Sequence, residues 1–485
     1  MSEILNLKPK ALWKNFYDLN QIPRPSKKEE RATEFAKNFG EKLGLETIVD
    51  EIGNVIIKKP ASKGYEDRKT VILQGHLDMV PQKNSDKKHD FEKDPIEMLI
   101  DGDWVTADGT TLGADNGMGV AASMAVLEDD TLEHGPVEAL FTVDEETGMT
   151  GANELKPGLL DGDILMNLDS EDEGELYIGC AGGVDTNMKF YFKEEEVPSD
   201  VTAFNLAIKG MKGGHSGLDI ALGRGNANKA VNRILYEASK VSKFRLSTIA
   251  IGDLRNAIPR EGNAVVVVPN SELGEFKNVV KEISEDIIKE LSTTEPDLAF
   301  DLSETEMPKF VIDEETQNNM IKGVYACPNG VIRMSADMEG LVETSTNLAH
   351  VETIDNYIRV ETLQRSSVDS SKDDLANMIR CVFEMAGAEV AHEGAYPGWK
   401  PNVNSSILKT MSDVYKNKYN KIPKQMAIHA GLECGIISNA YPDLDMISFG
   451  PTIRYPHSPD EKVNIETVEK FYDFLVETLK NVPKK

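Results

Sequence analysis

The chain has 485 residues, 40% of them hydrophobic, and sets 53 basic against 82 acidic side chains for a net charge of -29. That length exceeds one core, so two or three domains are expected, and so acidic a chain excludes nucleic acid and anionic membrane as partners. No apolar run approaches the ~20 residues that span a bilayer, "MSEILNLKPK" lacks a signal-peptide pattern, and Cys180, Cys327, Cys381 and Cys434 lie far apart without a CxxC pair, as expected of reduced thiols in a cytoplasmic protein.

Helices open the chain. The stretch "SKKEERATEFAKNFGEKLG" begins with a capping box, Ser26 to Glu29, and places Ala32, Phe35, Ala36, Phe39 and Leu43 on one face, with Gly44 suited to its end. "LETIVDEIGNVIIKK" reads as a hairpin, Leu45 to Val49 and Val55 to Lys58, turning through Gly53-Asn54. Strand and helix signals then alternate through "TVILQG", "NGMGVAASMAVLED", "PVEALFTV" and "DILMNL". Such alternation implies an α/β domain with a mixed, largely parallel sheet.

The character changes after "GCAGG" at 179–183. Long alternating strands follow, with amphipathic helices around Asn226 to Ser239 and Leu273 to Leu291, and Arg333 to Ala386 again runs strands into a helix. This is the patterning of a helix-backed antiparallel sheet. "GDLRNAIPREGNAVVVV" and "STNLAHVETIDNYIRVETL" are comparable strand-turn-strand units, which suggests a diverged internal duplication. From about residue 392 "HEGAYPGWKPN" reads as a loop, after which α/β patterning returns through "DLDMISFGP" to a final helix. The expected organisation is a catalytic domain built from 1–184 and 391–485, interrupted by an inserted α+β lid domain at 185–390.

Polar residues end the strands of the split domain. "TVILQG" leads to His76 and Asp78, which share a side of an extended chain because they are two apart. Asp115 sits in "GADNGMG" before a helix, "PVEALFTV" leads to Asp144, Glu145 and Glu146, "DILMNL" to Asp169, and "DLDMISFGP" to "RYPHSPDE" with His457. Ligands of open α/β sheets bind beyond the carboxyl ends of the strands, and histidines with carboxylates suit zinc, cobalt or manganese. Each piece also has a plain structural reading. Asp115 could be an N-cap, "DEET" a solvated turn, His457 part of a polar cluster, and "DSEDEGE" an acidic loop whose spacing does not fit an EF-hand.

In order, "GHLDMV", "GADNGMG", "DEETGMTGA", "NLDSED" with "GCAGG", "GGHSG", "HAGLECG" and "PHSPDE" resemble the motifs of the co-catalytic zinc peptidases, which include aminoacylases, desuccinylases and cytosolic dipeptidases. Their aminoacyl-histidine dipeptidase branch is the nearest in pattern, and the resemblance covers nearly the whole chain. It implies two divalent metal ions, zinc before cobalt or manganese. His76 and Asp169 would hold one, Glu146 and His457 the other, and Asp115 would bridge both across a cis Asp115-Asn116 peptide bond.

By the same resemblance Glu145 is the general base toward the shared water, and Asp78 orients His76. His215 in "GGHSG" is the lid histidine that stabilises the tetrahedral oxyanion, and Asn256 lies near the substrate. Arg365 in "LQRSS" is a candidate fork for the substrate carboxylate, and Glu433 in "HAGLECG" a candidate acceptor for its ammonium. Aspartate rather than glutamate at position 169 favours a dipeptidase over a deacylase. The implied reaction is hydrolysis of unblocked dipeptides of Xaa-His type, such as beta-Ala-His, or of broad range. The alternatives are a tripeptidase, an N-acyl amino acid hydrolase, or a catalytically silent metal-binding scaffold. Relatives often take the oxyanion histidine from a partner subunit, which leaves a homodimer open.

Overall fold

Three largely apolar runs, Val71–His76, Val137–Thr142 and Ile164–Asn167, are buried at every position and pair in parallel. Burial on both faces is what selects continuous apolar runs over alternation. The structure, a computed structural model, describes residues 3–485. Its chain divides into two compact units, one comprising the residues up to Gly179 with Trp399–Ala427 and Leu432–Lys485, the other Cys180–Gly398 with Ile428–Gly431.

In the first unit the three runs are the middle of an eight-stranded mixed sheet. Its order is Glu46–Val49, Val55–Lys59, Val137–Thr142, Val71–His76, Ile164–Asn167, Asp445–Ser448, Glu175–Cys180, Lys424–Ile428. Asp445–Ser448 runs parallel to Ile164–Asn167 and antiparallel to Glu175–Cys180, so a strand from late in the chain is wedged between two early ones. The helix Ala114–Glu128 has almost no exposed residue. It packs Val120, Met124 and Leu127 against Leu77, Ala139 and Phe141 of the sheet side and against Leu19, Ala32 and Ala36 of the opening helices. Each fully buried Leu, Ile or Phe in such a core contributes about 1.5–3 kcal/mol. Small residues let it lie close, since a Cβ on Gly119 would stand 2.7 Å from the Leu168 carbonyl oxygen. A separate four-stranded sheet, Ile453–Arg454, Lys462–Asn464, Trp104–Ala107, Met98–Asp101, holds the segment between its first two strands as a hairpin loop.

The second unit is antiparallel. Nine strands lie in one sheet, ordered Ala299–Glu304, Val201–Lys209, Gly262–Pro269, Arg245–Ile251, Val342–Ile354, Tyr357–Ser366, Gly182–Tyr191, Glu389–Tyr396, with Gly330–Met334 on Val342–Ile354. The helices Ala227–Ala238, Leu273–Leu291, Glu314–Ala326 and Asp369–Met385 cover one core with it.

Two local expectations are corrected. Ser26 and Glu29 do not form a capping box: the helix runs Glu30–Lys42 with no side-chain cap. Ser26 Oγ instead donates to Asp78 Oδ2 at 2.8 Å, and Glu29 Oε1 accepts the backbone N–H groups of Lys27 and Asp144. "HEGAY" is not a loop but the end of strand Glu389–Tyr396, paired only with Gly182–Tyr191 at the sheet edge. No helix among the described residues is long and apolar enough to cross a membrane.

Candidate active site

His76 is the last residue of its strand and only 1% exposed. Its Nδ1 lies 3.2 Å from the Asp78 carbonyl oxygen and 3.4 Å from Asp78 Oδ1. Two acceptors on that side suit a proton on Nδ1, which makes Nε2 the nitrogen available to a cation. Nε2 faces Asp115 Oδ1 at 3.1 Å and Asp169 Oδ1 at 3.5 Å. Burial alone would lower the imidazole's pKa, but Asp169, Asp115 and Asp78 raise it well above the ordinary value.

Asp115 lies in the first turn of Ala114–Glu128 with non-helical backbone angles, and its bond to Asn116 is cis. Its second oxygen, Oδ2, lies 3.2 Å from His457 Nε2, so one carboxylate faces two imidazoles. His457 Nε2 is also 2.9 Å from Glu146 Oε2. Hydrogen bonds to Asp115 and Glu146 push the His457 imidazole up to about 11. Burial raises Asp169, against His76 and with Asp115, to about 8.

After strand Val137–Thr142, Asp144 takes a left-handed conformation (φ 52°), costing about 1–2 kcal/mol for a residue with a Cβ. The hydroxyls of Thr147 and Thr150 donate to its carboxylate and offset that cost. The chain then enters a short helix, Glu145–Gly148. Two of its backbone N–H groups donate to Asp78, Glu145 to Oδ1 at 3.0 Å and Glu146 to Oδ2 at 3.2 Å. Burial raises the Glu145 carboxyl well above its ordinary value, opposed by His76 and reinforced by Asp169, Glu433 and Glu146.

Among the described residues four groups of three could hold a metal ion, each with its ligand atoms within 4.8 Å of one another: His76, Asp115 and Asp169; Asp115, Glu146 and His457; His76, Glu145 and Glu146; and Glu29, Asp78 and Asp144. Asp115 belongs to the first two. Glu146 Oε1 and Asp169 Oδ1 are buried with no hydrogen-bond partner. Negative oxygens buried without donors are costly unless a cation faces them, so the residues present fit two divalent ions.

Glu433, in the same unit, is 1% exposed. Its Oε2 accepts from Gln74 Nε2 at 2.6 Å and Thr142 Oγ1 at 2.9 Å, while Oε1 is buried without a partner. Burial, with His76 opposing, pushes it up to about 7.

The remaining expected residues lie in the second unit. His215 Nδ1 accepts the backbone N–H groups of Gly217 at 3.1 Å and Leu218 at 3.0 Å, which assigns the proton of the neutral ring to Nε2. Burial and then Arg365 lower its pKa. Arg365 is not a surface residue: 5% exposed, it donates to Ser216 Oγ at 3.3 Å and Tyr396 Oη at 2.9 Å, both neutral. Asn256 is exposed, and its carbonyl accepts the Ser216 N–H at 2.7 Å. His429 Nε2 lies 2.7 Å from Ser345 Oγ, and burial, Arg365 and His215 push it down to about 3.

Sequence reading assigned no part to Gln74, Thr142, Arg24, His429 or Glu461. Two of these lay in motifs that carry the resemblance, Glu461 as the last residue of "PHSPDE" and His429 as the first of "HAGLECG".

Residues 72–481 match the model of the peptidase family M20/M25/M40. The cytosol non-specific dipeptidase of Escherichia coli (strain K12) is 45% identical over 485 residues, the whole of both chains. The crystal structure of aminoacylhistidine dipeptidase from Vibrio alginolyticus superposes with a TM-score of 0.95 at 47% identity, covering 100% of this chain and 99% of that one. Aminopeptidase PepT from Bacillus cereus ATCC 10987 shares the fold, with a TM-score of 0.62 at 17% identity over 98% of this chain and 99% of its own.

Proposed function

We propose that this chain, which belongs to the peptidase family M20/M25/M40, hydrolyses the peptide bond of unblocked dipeptides in the cytoplasm and depends on two divalent metal ions. One observation carries the reading: Asp115 gives one oxygen to each of two three-residue ligand groups, and the Glu145 carboxylate, itself grouped with His76 and Glu146, lies beside them. His76 and Asp169 hold one ion, Glu146 and His457 the other, with Asp115 shared; zinc is the expected metal, with cobalt and manganese as substitutes. The ions, when bound, supply an activated water and polarise the scissile carbonyl.

Glu145 accepts the proton of the attacking water on its carboxylate and passes it to the leaving amine. Asp78 keeps His76 in the tautomer whose Nε2 can ligate, and holds the Glu145 and Glu146 backbone at the same time. His215 presents an Nε2–H as the donor for the tetrahedral oxyanion, with Asn256 near the substrate. Arg365, whose hydrogen-bonding partners are neutral, binds the substrate carboxylate as a fork. Glu433 takes the substrate ammonium on Oε1.

The names of the two relatives, non-specific and aminoacylhistidine dipeptidase, support a dipeptide substrate with either a broad range or a C-terminal histidine. A parallel assay of Ala-His, Ala-Ala, a tripeptide and an N-acetyl amino acid tests it. Cleavage of both dipeptides, or of Ala-His alone, upholds the reading. Preference for the tripeptide or the acylated substrate replaces it with those activities, and no cleavage with zinc, cobalt or manganese leaves a metal-binding scaffold.

A further inference from the structure

The loops that carry the metal-ligand candidates are joined beneath their side chains by two buried charged residues that are not themselves ligands. Glu461 is 2% exposed, in the hairpin loop that also carries His457. Its carboxylate accepts four consecutive backbone N–H groups: Leu112 at 2.7 Å and Gly113 at 2.9 Å on Oε2, Ala114 at 2.7 Å and Asp115 at 3.2 Å on Oε1. The helix Ala114–Glu128 has no side-chain cap from its own N-cap residue, Gly113. A remote carboxylate therefore satisfies N–H groups that a helix start leaves open.

Arg24, 1% exposed, completes the connection. Its Nη1 donates to the carbonyls of Leu77 and Asp78, both at 3.0 Å, and its Nη2 to the Gly113 carbonyl at 2.7 Å and Asn20 Oδ1 at 3.1 Å. The segment before Asp115 is thus gripped by Glu461 through its N–H groups and by Arg24 through the Gly113 carbonyl. One grip leads to the loop of His457, the other to the loop of His76 and Asp78.

We infer that Glu461 and Arg24 are positioning residues that set the spacing of Asp115 against His457 on one side and against His76 on the other, and so determine metal affinity without touching a metal. The inference rests on the dinuclear reading of this cluster. Groups that orient metal ligands typically change metal affinity by about 10–100-fold when removed, and a carboxylate holding four main-chain donors fixes its target more tightly than a single bond does.

The test uses the full-length chain, stripped of metal and titrated with cobalt(II) alone, read by binding isotherm and visible spectrum. The substitutions are Glu461→Gln, Arg24→Lys and a control, Glu295→Gln. Glu295 is a buried carboxylate of the second unit that accepts the Lys212 and Gly225 backbone N–H groups at 2.7 and 3.0 Å. The control reproduces the loss of a buried main-chain-binding carboxylate, and should bind cobalt as wild type does despite a lowered melting temperature. Glu461→Gln keeps the shape but turns an amide N–H₂ against N–H donors, and should weaken the lower-affinity cobalt ion at least about tenfold with an altered spectrum. Arg24→Lys, whose single nitrogen cannot occupy the separate positions from which Nη1 and Nη2 donate, should do the same, and decides the matter alone if Glu461→Gln does not fold. Two cobalt ions bound at wild-type affinity by the folded variants would overturn the inference, as would equal weakening in the control. Failure of the wild-type chain to bind two cobalt ions would instead remove the dinuclear reading itself.

Discussion

The Glu145 backbone N–H donates to Asp78 Oδ1 at 3.0 Å, so the carboxylate that orients His76 also holds the proposed base, through its main chain. Asp78→Asn keeps the volume but presents an N–H₂ to one of two N–H donors. Metal affinity and kcat should both fall, each by about 10–100-fold, a joint loss that metal titration and steady-state kinetics would resolve. A variant with normal metal binding and normal kcat would leave Asp78 no part in the site.

Glu145→Gln should leave two metal ions per chain while lowering kcat at least ~10²-fold, the usual scale of a general base. Elemental analysis beside the assay checks both halves. Loss of metal with no separate kinetic defect would exchange the roles of Glu145 and Glu146.

Dialysis against a chelator should abolish activity, and zinc, cobalt or manganese should restore it. His76→Ala should not recover under the same treatment, because it deletes a ligand that faces both Asp115 and Asp169. Full activity in the chelated wild type would remove the metal from the reaction.

Arg365→Met should weaken kcat/KM for free dipeptides by ~1.5–3 kcal/mol, the range for a hydrogen bond to a charged group, and change little for a dipeptide amide, which lacks the carboxylate. Glu433→Gln should be the mirror case, harming free-amine substrates more than N-acylated ones. Equal losses on dipeptide and amide would make Arg365 structural, held for its bonds to Ser216 and Tyr396.

Strand ends were legible because each central strand is rich in apolar residues, and histidines or carboxylates cluster just after these runs. That pattern pointed to a polar cluster beyond the strand ends, while the choice of His76, Asp115, Glu146, Asp169 and His457 as the ligand set came from the family resemblance. Ser26 was misread because its local pattern fits a cap, while the fold takes its hydroxyl for Asp78, 52 positions away. Strand Glu389–Tyr396 was missed because it lies at the sheet edge with no position fully buried, so its second half, His392 to Tyr396, carries polar and small residues that read as a loop. Arg24 and Glu461 act on main-chain atoms 53 to 89 and 346 to 349 positions away, and backbone partners leave no trace in residue types.

A strand from late in the chain wedged between two early ones imposes an order on biosynthesis. At about 5–20 residues per second, the ribosome delivers Asp445–Ser448 on the order of tens of seconds after Ile164–Asn167. Throughout that interval the edge of Ile164–Asn167 that Asp445–Ser448 will cover presents open hydrogen-bonding groups on an apolar strand, the kind of edge that templates aggregation. The second unit, Cys180–Gly398 with Ile428–Gly431, emerges entirely within the same interval. A nascent chain therefore has a nearly finished antiparallel unit while its parallel sheet is still unsealed, and this window is where holdase chaperones would act on it.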